Sequence, residues 1–411
     1  MPERRSSGGP ARKRIPVHRL PPAIVLGGDV IALSVMRSLG RMGVKVYCIN
    51  QRETNRLVVR SRYCHRFVAV PADRNIQEAW KEILLGGRSN VPAGAVLLAC
   101  GDDALEFLID HYPDLERKYR LDIMDRQAQR SALNKLSTYQ AAAKAGVPVP
   151  VFHKLSRRTL SDLDSGQIPF PCLVKPVHSH RFLKSHNFKH YMAADRQALD
   201  RIVREMPDDL DDFILLEYIE GPDDLLCSYY TYIDDDGAPR FDFTKRIIRR
   251  YPVTSGLGCY HITDAVESVK ALSLRFLREI GLKGVANVEF KMDNRDGCLK
   301  IIECNARYTA ANSLLMESGI DLPAIVYRRI LGMTHVFPAT FATGRRLWRP
   351  NRDYRAFLEL RRRGELTLPA WLKSVLHPQT FPYFAWDDPA PSIDKHKQLL
   401  ERRMRRCTQI L

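Results

Sequence analysis

The 411-residue sequence has no apolar run approaching the roughly 20 residues a helix needs to cross a bilayer. Its opening stretch, MPERRSSGGPARKRIPVHRLPP, has no hydrophobic segment and no apolar helical face. It therefore reads neither as a secretory signal nor as a mitochondrial presequence, and its Arg, Ser, Gly and Pro content predicts a disordered basic tail over 1–20. None of the nine cysteines stands in a C-x-x-C relation to another. That removes the common zinc spacings, and an odd set scattered through apolar segments predicts reduced core thiols and a cytoplasmic protein. A G-x-G-x-x-G run is also missing, because Val30 and Ala32 interrupt VLGGDVIALSVMRSLG. This counts against an NAD(P)-binding oxidoreductase, one rival reading. No internal repeat is present.

Charge is abundant but uneven. The formal net charge is +17. Residues 1–20 hold six Lys/Arg against one Glu, and residues 334–411 hold fifteen against seven Asp/Glu, so only +4 falls on 21–333. Basic termini attract nucleic acid or an anionic surface, which gives the other rival, a non-catalytic nucleotide- or nucleic-acid-binding protein. Solvated tails and helix faces explain the same charge and are favoured, so a nucleic-acid partner is not expected.

The pattern along the chain is mixed α/β. AIVLGGD (23–29), VIALSVMRSLGRMG (30–43) and VKVYCIN (44–50) read as strand, glycine turn, helix and strand, the opening of a parallel sheet. RFVAVP, NIQEAWKEILLGG and GAVLLACGDD continue the alternation to about residue 125. A second unit, 126–333, begins with a helix that Ser131 is expected to cap and that Gly146, Pro148 and Pro150 stop. Strands are predicted at 171–177, 212–221, 225–234 and 240–251, a helix near 195–206, and another over 263–281 ending at Gly281. GVANVEFKM and LKIIECNARY close the unit, and 334–411 reads as a basic, mainly helical extension.

The last two strands carry acids where an apolar pattern predominates. DNRDG (293–297) is a turn signal between them. Folding the chain about Asp296 sets Glu289 opposite Glu303 and Asn287 opposite Asn305, where Cβ atoms lie about 4.5–5.5 Å apart. Two facing carboxylates repel unless something positive lies between them. Lys291 is on the same face by alternation. The other candidate is a hard divalent cation, for which Glu289, Glu303 and the side-chain oxygen of Asn305 form a half-shell that water and substrate phosphates complete. A solvent-facing hairpin, or a bulge at Gly297 that splits the pair between faces, explains the sequence equally well.

Further residues point the same way. Lys135 follows LN at a helix start. Lys175 sits inside the apolar strand CLVKPV, where a neighbouring anion would resolve the cost of its charge, or where it snorkels. LLEYIEGPDD places Glu217, Asp223 and Asp224 at a strand exit, as ligands for the amino and hydroxyl groups of a nucleoside or as a plain turn. Lys245 and Arg249 alternate onto one face of FDFTKRIIRRY, suited to phosphate or an acidic substrate, or to a solvated edge.

With these residues in this order, the sequence resembles the ATP-grasp superfamily, most closely the carboxylate–amine ligases that include D-aspartate ligases. The resemblance is carried by VLGGDVIALSVMRSLG, LNKLSTYQAAAKAGVPVP, LVKPV, LLEYIEGPDD, TKRIIRRYP and ANVEFKMDNRDGCLKIIECNARY, over about 23–333. It implies α/β and α+β architecture: a Rossmann-like N-terminal domain, then a two-lobed ATP-grasp domain with ATP between the lobes. Lys135 and Lys175 would contact phosphates. Glu217, Tyr218 and Ile219 would form the adenine hinge, partly through backbone groups, and Asp223 or Asp224 would bind ribose. Glu289, Glu303 and Asn305 would hold Mg²⁺, with Mn²⁺ as the alternative. Arg307 would lie by the transferred phosphate, with Lys245 and Arg249 as further catalytic candidates. The implied substrates are a small carboxylate and an amine; the oligomeric state stays open, a homodimer included. One departure stands out. The phosphate-covering loop, often glycine-rich in such enzymes, reads HSHRFLKSHNFKH (178–190) without glycine. Lys184, Lys189 or a histidine would do part of its work, while His178, His180, His186 and His190 are alternative ligands for a transition metal.

Overall fold

The computed structural model describes residues 20–51, 56–86, 90–156, 160, 167, 169–178, 181–182, 190–206 and 210–397. The first strands, β1 (Ala23–Gly27), β2 (Val46–Gln51), β3 (Cys64–Val70) and β4 (Val96–Cys100), form a parallel sheet in the order β3-β2-β1-β4. Continuous apolar runs such as AIVLG bury both faces, as parallel sheets require. Helices α1 (Asp29–Arg41), α2 (Ile76–Leu85) and α3 (Asp102–Leu115) cover the sheet. Gly27 is at φ +88°, and a Cβ there would lie 2.9 Å from the Cys100 carbonyl carbon. Only glycine lets the exits of β1 and β4 approach this closely. α3 begins where β4 ends, so Asp102 stands at the mouth of the sheet.

Two short helices follow, α4 (Arg126–Leu133) and α5 (Lys135–Lys144). Ser131 caps neither. It lies inside α4, while Asp125 accepts from Ala128 N and Asn134 accepts from Ser137 N. The single helix expected here is broken at Asn134, which leaves Lys135 in the first turn of α5.

A small antiparallel sheet has the order β5-β8-β6-β7, from β5 (Phe152–Lys154), β6 (Cys172–Pro176), β7 (Tyr191–Ala193) and β8 (Phe213–Glu217), with α6 (Arg196–Glu205) beside it. The three-residue strands β5 and β7 are too short to show a period in the sequence. A six-stranded antiparallel sheet runs β13-β12-β9-β10-β11-β14, built from β9 (Leu226–Ile233), β10 (Phe243–Tyr251), β11 (Leu257–Thr263), β12 (Gly284–Met292), β13 (Leu299–Asn305) and β14 (Arg346–Trp348). The helix α7 (Glu267–Ile280) packs on one face, where Val288, Phe290, Tyr229 and Ile301 share its apolar core. The other face carries the polar set.

The C-terminal part does not stand apart from this frame. Arg346, Leu347 and Trp348 supply the sixth strand, and Asp353 on α8 (Pro350–Arg362) is wholly buried against the sheet. Farther on, Asp388 accepts from Arg37 Nε at 2.9 Å, Ser61 Oγ at 2.7 Å and Arg62 N at 2.9 Å. Arg37 and Asp388 are both buried, so the carboxylate ties the end of the described chain to α1. No helix among the described residues is long and apolar enough to cross a membrane.

Removing one member of a buried pair strands the other charge, at a cost of about 3–5 kcal/mol. Asp388→Ala is therefore expected to lower the thermal midpoint markedly, and Asp387→Ala, whose ion-pair partner Arg41 is half exposed, to lower it much less. Equal midpoints for the two variants in differential scanning fluorimetry would contradict this assignment.

Candidate active site

A cavity of about 530 Å³ lies between the small and large sheets. The small sheet and α5 present Lys135, Tyr139, Leu173, Lys175, Leu216 and the segment after β8, while the polar face of the large sheet forms the floor.

On that floor the hairpin β12–β13 has the register read from the sequence: Asn287 pairs with Asn305 and Glu289 with Glu303. Gly297 sits in the turn at φ +70° without slipping it. The irregularity falls farther along, where Phe290 pairs with Ile301 and Ile302 is the extra residue. Ile302 and Glu303 consequently both line the cavity, while Ile301 turns into the core. Asn305 Nδ2 donates to Glu303 Oε1 at 3.2 Å and to Asn287 Oδ1 at 3.1 Å, fixing the amide beside the acids. Two carboxylates and an amide oxygen fit a hard cation that keeps water and phosphate oxygens as its remaining ligands. Among the described residues no group of three or more His, Cys, Asp or Glu could hold a metal alone.

Arg307 follows this hairpin and donates to both carboxylate oxygens of Asp102, at 2.5 and 2.9 Å. Burial works against its charge, but Asp102, with Glu303 and Glu289 behind it, holds the guanidinium pKa above its ordinary value. Asp102 was not legible as a site residue, because its partner is 205 positions away.

At the opposite end, Glu217, Tyr218 and Ile219 line the cavity after β8. The Glu217 carboxylate is already held by Arg295, by Val151 N at 2.9 Å and by Lys300 at 3.3 Å. It braces this segment internally, leaving Tyr218 and Ile219 to border the cavity with side chain and backbone. Lys291 Nζ donates to Ile219 O at 2.8 Å and Gly221 O at 2.7 Å, and burial, then the Arg250 charge, pushes it down to about 8.

Three expected site residues lie elsewhere. Asp223 accepts from Arg250 Nε at 2.6 Å and from Thr254 N at 3.2 Å, and Asp224 is exposed; neither lines the cavity. Arg249 turns to the outer face, where it donates to Asp353 at 2.7 and 3.1 Å. A bulge at Ile248 is the cause: Ile247 pairs with His261 but Arg249 with Tyr260, so the strict alternation from Lys245 breaks and Arg250 reaches the cavity instead. Lys245 remains on the cavity face, nearly fully buried, donating to Ser228 Oγ at 3.0 Å. In the glycine-free segment, His190 lines the cavity, whereas His180, Lys184, His186 and Lys189 lie outside the described residues. His261 and Arg349 also line the cavity and were missed, since nothing in the sequence near either marks a site.

The sequence matches no protein-family model. It is 24% identical over 284 residues to D-aspartate ligase of Enterococcus faecium, covering 66% of this chain and 67% of that one. The biotin carboxylase domain of Hydrogenobacter thermophilus 2-oxoglutarate carboxylase, solved with MgADP and bicarbonate, superposes with a TM-score of 0.61 at 15% identity, over 80% of this chain and 74% of that chain. The chain has the ATP-grasp fold. Two other solved structures with this ATP-grasp architecture are N5-carboxyaminoimidazole synthetase of Staphylococcus aureus (TM-score 0.58, 15% identity, 79% and 80% covered) and L-amino acid ligase of Bacillus licheniformis (0.55, 17%, 77% and 75%).

Lys291 loses its charge above about pH 8. Loss of one positive charge from the wall of an anion-binding cavity costs about twofold to tenfold in affinity after screening. MgADP binding by calorimetry is expected to weaken by that factor between pH 7 and 9, and Lys291→Met to flatten the step. A step of the same size in the variant would assign it to another group.

Proposed function

We propose that the protein is an ATP- and Mg²⁺-dependent, ADP-forming carboxylate–amine ligase that makes an amide or peptide bond through an acyl phosphate. The observation that carries this reading is the in-register pair Glu289 and Glu303, with Asn305 beside it, on the floor of a cavity whose opposite wall holds Lys135 and Lys175. Opposed carboxylates facing two lysines across an ATP-sized space match the charge pattern of a metal–triphosphate complex.

A carboxylate oxygen of the acid substrate attacks the γ-phosphorus, the bond to the β-bridging oxygen breaks, and ADP leaves. The amine then attacks the acyl carbon, phosphate leaves, and the nitrogen gives up a proton. Phosphoryl transfer depends on positioning and charge neutralisation more than on protein nucleophiles. Mg²⁺ would supply charge neutralisation to the phosphates during the transfer. Glu289, Glu303 and Asn305 would hold it. Lys135 and Lys175 supply donors to the phosphates, and Tyr218 and Ile219 border the base. Arg307, preset by Asp102, offers a planar fork to the carboxylate or to the phosphate in flight.

The relatives support this reading by name: one is a D-aspartate ligase and another an L-amino acid ligase. The parallel sheet over about 21–125 serves as a Rossmann-like lead-in, 126–333 as the ATP-binding unit, and 334–411 as a basic extension. The eight described cysteines are all free, which suits a reducing, cytoplasmic setting.

The test is an ADP-release screen over pooled acids and amines, with mass spectrometry of the product. Glu303→Gln is expected to keep the wild-type circular dichroism spectrum and melting temperature while turnover drops about 10²–10³-fold. Near-normal turnover of the folded variant at limiting Mg²⁺ would defeat the metal assignment.

A further inference from the structure

The polar face of the large sheet changes sign along its strand order. β12 and β13 bring Glu289 and Glu303, while β10, β11 and the residue after β14 bring Lys245, His261 and Arg349 into the same cavity. The register explains why these three meet. Lys245 pairs with Thr263, two residues from His261, and His261 pairs with Leu347, two residues before Arg349. At about 4.8 Å per strand, His261 lies three strands, roughly 14 Å, from Glu289.

All three side chains are more than nine-tenths buried, at 2%, 8% and 7% exposure. Among the described residues Lys245 donates one hydrogen bond, to the Ser228 hydroxyl, makes no salt bridge, and lies 5.7 Å from the centroid of the Tyr230 ring. His261 Nδ1 and Arg349 Nε have no hydrogen-bond partner among the described residues. No carboxylate there lies within salt-bridge reach of Arg349, whose guanidinium has only the Tyr383 ring, 6.0 Å from its centroid. Burial, then the charges of Lys245 and Arg349, push His261 well below its ordinary range, so it is a neutral ring between two cations. Gly258 makes room for it: a Cβ there would come within 2.3 Å of His261 Cε1. Buried cations held without a direct salt bridge are costly, and a bound anion removes that cost.

We propose that this end of the cavity is a subsite for a substrate carboxylate other than the one that is activated, anchored by Arg349 and Lys245 with a hydrogen bond from His261. The proposal rests on the ligase reading and deepens it. The carboxylate belongs either to a dicarboxylic acid substrate or to an amino acid serving as the amine, and matched probes separate the two sources.

The experiment is calorimetry on the full chain saturated with MgADP, titrated with propionate against succinate and with ethylamine against β-alanine. In one pair, the probe with the extra carboxylate is expected to bind about 10–100-fold more tightly, the range of a charge-assisted hydrogen bond. Arg349→Gln should erase that preference and keep MgADP affinity within about twofold. Arg349→Lys should fall between, and it carries the test if Arg349→Gln does not fold. Lack of preference in wild type, or full preference retained in a variant that binds MgADP, overturns the subsite. Failure of wild type to bind MgADP would instead sink the ligase reading itself.

Discussion

The antiparallel register between β12 and β13 is the constraint on which the site depends. Side chains on paired strands share a face only when the register is right, and a one-residue slip sends every one of them to the opposite side. Here Glu289 meets Glu303 and Asn287 meets Asn305 because the turn at 293–297 is closed by Gly297 in a left-handed conformation. The same register sends Val288, Phe290 and Cys304 into the core under α7. Packing on one face therefore fixes the acid pair on the other. The electrostatic cost of opposing two carboxylates is met by the apolar burial behind them and by the positive charges of Arg307 and Lys245 around them.

Two local irregularities then place the remaining groups. The extra residue Ile302 leaves Glu303 on the cavity side while Ile301 packs inward. The bulge at Ile248 exchanges Arg249 for Arg250. Arg249 is thereby free to bind Asp353 and secure α8 against the sheet, and β14 places Arg349 at the far rim of the cavity. Residues after 333 thus reach the site through strand pairing, and Asp102 reaches it from the N-terminal sheet. One cavity draws on all three parts of the chain.

This division explains what the sequence made legible. Strand and helix periods located the main elements, and a symmetric turn sufficed to pair Glu289 with Glu303. The resemblance assigns phosphate, base-binding or catalytic roles to Lys135, Lys175, Tyr218, Ile219 and Arg307, and all five line the same cavity. The misses have physical causes. Arg249 failed because a bulge is invisible to period-two counting. Asp223 stays off the cavity lining because Arg250, brought round by that same bulge, takes it as a partner. Ser131 failed as a cap because Asn134, three residues on, competed better for the helix start. Asp102, His261 and Arg349 had no local signal, since each owes its position to contacts far away in the chain.

The central claim is that Glu289, Glu303 and Asn305 clasp a divalent ion against the phosphates of a bound nucleotide. A crystal structure with Mn²⁺ and ADP tests it most directly, because the anomalous signal of Mn²⁺ locates the ion without assumption. The account predicts a peak about 2.0–2.3 Å from carboxylate oxygens of both Glu289 and Glu303, with the diphosphate beside Lys135 and Lys175. A peak elsewhere, or a diphosphate remote from both lysines, would contradict it.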